Sequence, residues 1–236
     1  LLSSKRVPHF SVKGKEKYLL PLGDVHIGNP NCNKGTLQEA VDWAKEKDAW
    51  ILCMGDLIEC ALKNSPGKSF FEQTSTPQDQ IEEIIEILKP VEGQIIGIID
   101  GNHEKRAANQ TGIRPSWVIS QALRAPYSGV GGLFRLVVGG RWFSIYAKHG
   151  SSGAATVAGK MSAIQKLAAI CPGAHLYLMG HVHHLFYYQT TRVEYDGRSK
   201  YENLCPVHHC ITGHFLDYGG GYADEGNYTP GTSGYP

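Results

Sequence analysis

The chain has 236 residues, 42% of them hydrophobic, which excludes a disordered chain and fits one generous domain with a sizeable core. Twenty-three basic residues against 22 acidic leave a net charge of +1, so no strong global field draws in nucleic acid or a membrane surface. No apolar run approaches the ~20 residues needed to span a bilayer, and the six cysteines lack the tight spacing of a secreted disulfide scaffold.

The first 17 residues are locally basic, with Lys5, Arg6, Lys13, Lys15 and Lys17 against Glu16, and read as a solvated terminal arm rather than a phosphate-tracking one. This start leads into polar residues and not into an apolar secretory core, so a reducing cytoplasm is the expected compartment. Leu1 in place of Met leaves room for residues upstream. Tyr18 to Leu22 reads as a strand that delivers Gly23-Asp24-Val25-His26. A helix is expected over 36–47, with Thr36 as N-cap and Glu39 closing a capping box. Ala49 to Met54 reads as a buried strand, with Cys53 a small core residue, and it stops at Gly55-Asp56-Leu57-Ile58-Glu59. A polar loop from Lys63 to Thr76, carrying Pro66-Gly67, precedes a helix opened by Pro77 whose inward stripe is Ile81, Ile84, Ile85 and Leu88. Ile95 to Ile99 is the third strand and ends at Gly101-Asn102-His103-Glu104. Pro115-Ser116-Trp117 starts a further helix, read as part of a small cap.

The second half changes character. Phe134–Val138, a Gly139-Gly140 turn and Arg141–Ala147 read as a hairpin running into Lys148-His149-Gly150. A helix from Ala155 to Ile170 leads to a strand His175–Met179, which ends at Gly180-His181-Val182-His183. Gly153 to Lys160 is no phosphate loop, because five residues separate its glycines where four are required. Leu185–Glu194 and Tyr201–Phe215 read as paired strands around Asp196-Gly197. Cys205-Pro-Val-His-His-Cys210 offers zinc-ligand residues but no second paired half, so it is assigned to a strand. The Gly- and Tyr-rich stretch from Asp217 to Pro236 reads as a flexible end; the alternative is an ordered flap bringing Tyr218, Tyr222 and Tyr228 to the site. Alternating strands and helices followed by a strand-rich half predict two sheets with helices outside both.

All five polar blocks stand where a strand runs out, and α/β sheets place their chemistry beyond the carboxyl ends of their strands. Two Asp, one Asn and several His make a mixed O/N donor set suited to divalent transition metals. In this order the blocks Gly-Asp-x-His, Gly-Asp-x-x-Glu, Gly-Asn-His-Glu, His-Gly and Gly-His-x-His resemble the calcineurin-like metallophosphoesterase superfamily, over residues 23 to 183. The resemblance implies a four-layer α/β/β/α sandwich around two divalent ions, with Mn the expected activator in vitro and Fe, Zn or Ni compatible. It implies that Asp24, His26 and His183 bind one ion, that Asn102, His149 and His181 bind the other, and that Asp56 bridges them. His103 matches the catalytic histidine, which is not a ligand; Glu59 and Glu104 match positions of a supporting kind.

The implied reaction is hydrolysis of a phosphate mono- or diester by a metal-bridging hydroxide, with His103 assisting the leaving group. Physical chemistry agrees: two cations ~3.5–4 Å apart need a bridging anion, and water shared between them loses a proton near neutral pH. Arg106 and Arg114 follow the third block, and a guanidinium can hold phosphate bidentately. Of the histidines outside the blocks, His184 and His214 are the two with a case for a supporting role, His184 also as a substrate contact. Two other functions stand beside this one. A DNA nuclease of the same superfamily draws on the basic start and Lys105-Arg106, against a balanced charge. A non-catalytic scaffold, as in the retromer subunit that resembles this superfamily, ordinarily loses ligands or the catalytic histidine, whereas Asp24, His26, Asp56, Asn102, His103, His149, His181 and His183 are all present.

Overall fold

The computed structural model describes residues 6–63, 65, 69–151, 153–154, 156–195, 200–219 and 233–236. Strands β1 (His9–Val12), β2 (Leu19–Leu22), β3 (Trp50–Cys53), β4 (Ile95–Ile99) and β5 (Tyr127–Gly129) are followed by β6 (Gly132–Val138), β7 (Arg141–Lys148), β8 (Leu176–Met179), β9 (Leu185–Tyr195) and β10 (Glu202–Thr212). Helices are α1 (Lys34–Glu46), α2 (Ser69–Glu72), α3 (Pro77–Leu88), α4 (Asn102–Thr111), α5 (Pro115–Ala122) and α6 (Val157–Ile170). One sheet is four-stranded and parallel, in the order β2-β3-β4-β5; the other has six strands in the order β1-β6-β7-β8-β10-β9.

Strand periodicity sorts the core into layers, because successive side chains leave opposite faces. Ile51 and Cys53 of β3 face α1 and α3, alongside Leu37, Val41, Ile84 and Leu88. Leu52, Met54, Ile96 and Ile99 face the other way and pack on Phe134, Leu136, Ile145, Ala147 and Leu178 of the larger sheet. That sheet's outer face (Tyr146, Tyr177, Met179, Val207 and Ile211) is covered by Ile164 and Leu167 of α6. The result is the four-layer α/β/β/α sandwich that the sequence led us to expect. With both faces covered, β3 and β4 read as unbroken apolar runs.

Several boundaries differ from expectation for identifiable reasons. Helix α1 starts earlier because Asn33, not Thr36, is its N-cap: the Asn33 side chain accepts the Thr36 backbone N–H. Within the basic N-terminal segment, residues 9–12 are not a solvated arm, while residues 1–5 lie outside the described residues. His9–Val12 pairs parallel with β6 at the sheet edge, and Phe10 packs against Trp50 at 6.5 Å. Helix α5 is not a cap; Ile119 joins the helix-side core and the helix packs on α3 and β4. The loop after residue 63 contains the short helix α2, while Pro66-Gly67 lies outside the described residues. The last four residues are fastened rather than loose: Gly234 pairs with His214, and Tyr235 stacks on Phe215 at 6.0 Å. Tyr222, Tyr228 and Asp196-Gly197 fall outside the described residues. Cys205 and Cys210 lie in β10, as the strand assignment required. Among the described residues no helix is long and apolar enough to cross a membrane.

Candidate metal centre

The carboxyl ends of β2, β3 and β4 deliver Asp24, Asp56 and Asn102, while those of β7 and β8 deliver His149, His181 and His183. The two sheets thus contribute to one cluster at the same end of the sandwich. Backbone hydrogen bonds tie the delivery loops together: Asp24 N–H donates to Gly55 O (3.0 Å), and Val25 and His26 N–H both donate to Asp56 O (2.8 and 3.0 Å). The loops approach so closely that they need glycine. A Cβ on Gly101 would stand 2.0 Å from Asp56 Oδ1, and one on Gly180 would stand 2.6 Å from Asp24 Oδ2.

Three groups of potential ligand atoms result among the described residues, Asp24–His26–His183, Asp56–His149–His181 and His26–Glu59–His103, each with its atoms within 4.8 Å of one another. His26 donates its Nδ1 proton to Glu59 Oε2 (3.1 Å), which leaves a lone pair on Nε2. That nitrogen faces His183 Nε2 at 3.2 Å, with Asp24 Oδ1 3.4 Å from His183 Nε2 and Asp56 Oδ2 3.9 Å from His26 Nε2. On the other side His149 Nδ1 donates to Met54 O (2.9 Å), so its Nε2 points at Asn102 Oδ1 (3.0 Å) and Asp56 Oδ2 (3.1 Å). Asn102 Oδ1 also lies 2.7 Å from His181 Nδ1. Acceptor atoms converge on acceptor atoms, with Asp56 Oδ2 common to both sides. Such a set fits divalent cations, because a cation removes the repulsion between inward-facing lone pairs.

The electrostatics carry the same sign. Burial opposes ionisation of Asp56, yet His149 and His103 hold its carboxyl well below the ordinary carboxylate range. Burial likewise opposes the charge of Asp24, which its hydrogen bond to His183 and the nearby His149 bring down. Burial acts against a charged His149, but Asp56 outweighs it and pushes the ring up to about 9, so the Nε2 lone pair that faces Asp56 attracts a proton, whose place a cation would take. Glu59 is drawn down to about 2 against its burial, chiefly by His26.

His103 opens α4 and belongs only to the third group, in which its Nδ1 and that of His26 both face Glu59 (3.8 Å to Oε1 and 3.1 Å to Oε2). Its Nδ1 donates to the Glu59 carbonyl, and its Nε2 lies 4.0 Å from Asp56 Oδ2. Its backbone N–H donates to Asp56 Oδ1 (2.9 Å), so the helix N-terminus itself supports the Asp56 carboxylate. Glu104 accepts N–H bonds from Asp56 (3.0 Å), Leu57 (2.8 Å) and Gly101 (3.0 Å), clamping two delivery loops. Burial, then the charge of Asp56, pushes that carboxyl up to about 7.

The remaining candidates fare differently. Arg106 stands one helical turn beyond His103 and donates to Ser65 Oγ (3.0 Å) in the loop after Glu59. Arg114 is exposed at the start of α5, where its charge acts on Tyr127. His184 is in none of the potential ligand groups, and burial, then the charge of Lys160, lowers its pKa. His214 does reach the cluster and stacks on His183 at 5.4 Å. Met54 O, which sets the tautomer of His149, had no sequence signal, being a backbone atom.

Comparison with known proteins gives no matching family model and no matching curated protein. Two solved structures are similar at low identity. One is a conserved uncharacterized protein, a predicted phosphoesterase, from Streptococcus pneumoniae TIGR4: 13% identity, covering 86% of this chain and 76% of that one, TM-score 0.36. The other is wild-type Vps29 complexed with Zn2+ from Entamoeba histolytica: 15% identity, covering 83% of this chain and 73% of that one, TM-score 0.36.

Proposed function

We propose that the chain is a metal-dependent phosphoesterase that hydrolyses phosphate esters at a dinuclear centre. One observation carries this reading: Asp56 Oδ2 lies between His149 Nε2 (3.1 Å) and His26 Nε2 (3.9 Å), the lone-pair nitrogens of two separate ligand groups. Asp24, His26 and His183 would hold one ion, Asn102, His149 and His181 the other, and Asp56 would be shared between them. When bound, the ions supply Lewis acidity and lower the pKa of a shared water to near neutrality.

The chain's own residues supply orientation and proton handling. Glu59 and Met54 O fix the tautomers of His26 and His149, so both rings present Nε2 inward. Asn102 would bind through a neutral carboxamide, which would limit the negative charge that an anionic phosphate must approach. His103, held through Nδ1 by the Glu59 carbonyl, turns Nε2 to the cluster. As the imidazolium it hands a proton to the leaving oxygen. Arg106, which donates to Ser65 Oγ (3.0 Å), would meet a phosphate oxygen on this reading.

The test is a side-by-side assay of the metal-stripped and Mn2+-reloaded protein on p-nitrophenyl phosphate, its bis ester, cyclic nucleotides, and single- and double-stranded DNA. Mn2+-dependent release of nitrophenol, with about two ions per chain by elemental analysis, is the expected result. DNA digestion would move the assignment to the nuclease. Full ion occupancy with no turnover on any substrate would replace the enzyme with a scaffold.

A further inference from the structure

We infer that His214 is a phosphate-binding residue, its Nε2–H donating a hydrogen bond to an oxygen of the phosphoryl group. This rests on the dinuclear reading above and adds a contact that none of the five sequence blocks contains.

The tautomer follows from a single bond. Leu216 backbone N–H donates to His214 Nδ1 at 3.2 Å, and an N–H can give only to a lone pair. The proton of the neutral ring is therefore on Nε2. This Nε2 is buried and has no hydrogen-bond partner among the described residues, in a side chain belonging to a residue 5% exposed. A fixed N–H cannot ligate a cation, which removes a metal-ligand role. What it needs is an acceptor, and buried donors of this kind are nearly always matched by one.

The surroundings say which acceptor. His214 stacks on His183 at 5.4 Å with 25° between the rings, and its charged neighbours are His183, Asp24 and His26. The carboxylate of Asp24 is committed to the His181 N–H (2.8 and 3.1 Å) and to His183. A phosphoryl oxygen arriving at the ion held by those residues would be the acceptor that the cluster itself does not provide. The ring is also pinned: His214 N–H donates to Gly234 O (3.2 Å), Gly234 N–H returns a bond to His214 O (2.8 Å), and Phe215 N–H donates to Asp24 O (3.0 Å). An aligned, preorganised donor is what a site for an oxyanion requires. The orphaned Nδ1 of His209 is different in kind, since its ring lies between Tyr177 and Tyr188 on the sheet's outer face, away from every ligand.

The experiment uses the full chain loaded with Zn2+. Metal content is measured first, then inorganic phosphate is titrated by calorimetry into wild type, His214→Phe and His214→Gln. With metal content unchanged, His214→Phe should weaken phosphate binding by about 10- to 100-fold, the scale of a lost hydrogen bond to a charged group. His214→Gln, which keeps an amide N–H at similar reach, should recover most of that loss. In the 15N-histidine-labelled wild type, phosphate should shift the Nε2–H resonance of His214. Equal phosphate affinity in His214→Phe at equal metal content overturns the inference, as does an unmoved Nε2 resonance if that variant fails to fold. Failure to take up ions removes the dinuclear reading and the inference with it. His214-dependent phosphate binding by a protein that cleaves no ester would retire the hydrolase and leave this contact standing.

Discussion

Five of the clustered side chains hang from left-handed backbone: Asp24 (φ 51°), His26 (φ 54°), Asp56 (φ 49°), His181 (φ 71°) and His183 (φ 46°). Each such residue costs on the order of 1–3 kcal/mol, and Asp and His are among the types that tolerate the region best. The concentration of strain at the strand ends explains why the ligands are presented outward instead of continuing the strands. It also makes Asp56→Asn a clean probe, since Asn keeps both the volume and the tolerance for this φ. That variant should fold, lose at least one ion per chain by elemental analysis, and lose turnover on the order of a thousandfold, because the bridging charge is gone. His103→Ala separates chemistry from binding. It should lower kcat by about 10²- to 10⁴-fold while metal content stays at the wild-type level, because the Glu59 carbonyl occupies its Nδ1 and the ring belongs to neither the Asp24–His26–His183 nor the Asp56–His149–His181 group. A variant that released both ions would overturn the non-ligand role of His103.

At the scale of elements, helix α4 and the loop after β3 act as one unit. Glu104 on the first turn of α4 accepts N–H bonds from Asp56, Leu57 and Gly101, and α4 in return aims the His103 N–H at Asp56 Oδ1 (2.9 Å). Replacing Glu104 by Gln turns an amide NH2 toward backbone donors and leaves at least one buried N–H without an acceptor. Urea denaturation of Glu104→Gln should show a loss of about 1–3 kcal/mol, and ion affinity should fall by about 10- to 100-fold, as for a group that orients ligands. Unchanged stability and affinity would mean the clamp is dispensable. This unit also shows what the sequence could disclose. The Gly-Asn-His-Glu block announced the ligand and the histidine, but not that Glu104 folds back onto residues 48 and 47 positions earlier in the chain. Strands with unbroken apolar runs, Ile95–Ile99 above all, were legible because burial on both faces leaves no polar residue to blur them. β1 was not. It is a four-residue edge strand followed by the exposed Lys13 and Lys15, and only Phe10 and Val12 face inward. The start of α1 was displaced because Asn33 and Thr36 are both good caps, and tertiary contact chose the earlier: Asn33 also donates to Asp217 Oδ1 at 2.8 Å, a partner 184 residues away.

At the scale of the whole molecule, the centre spans the junction between sheets that otherwise meet through apolar contacts. Asp24, Asp56 and Asn102 come from the four-stranded sheet; His149, His181 and His183 come from the six-stranded one. The order of the five blocks was readable from the sequence because each follows a strand. Their convergence depended on Leu52, Met54, Ile99, Phe134, Ile145 and Leu178 packing two sheets face to face, which no local pattern specifies. An ion gripped by both sheets binds the folded chain and has no such site in the unfolded one. Ion binding should therefore raise global stability, by about 2.7 kcal/mol at a hundred times Kd. Calorimetric unfolding midpoints with Mn2+ and with excess chelator would measure it. The shift should shrink sharply in Asp56→Asn, whose bridge is gone, and persist in His103→Ala, whose ligands are intact. Were both variants to keep the full shift, the ions would be binding elsewhere on the molecule, and the two sheets would be held together by their apolar interface alone.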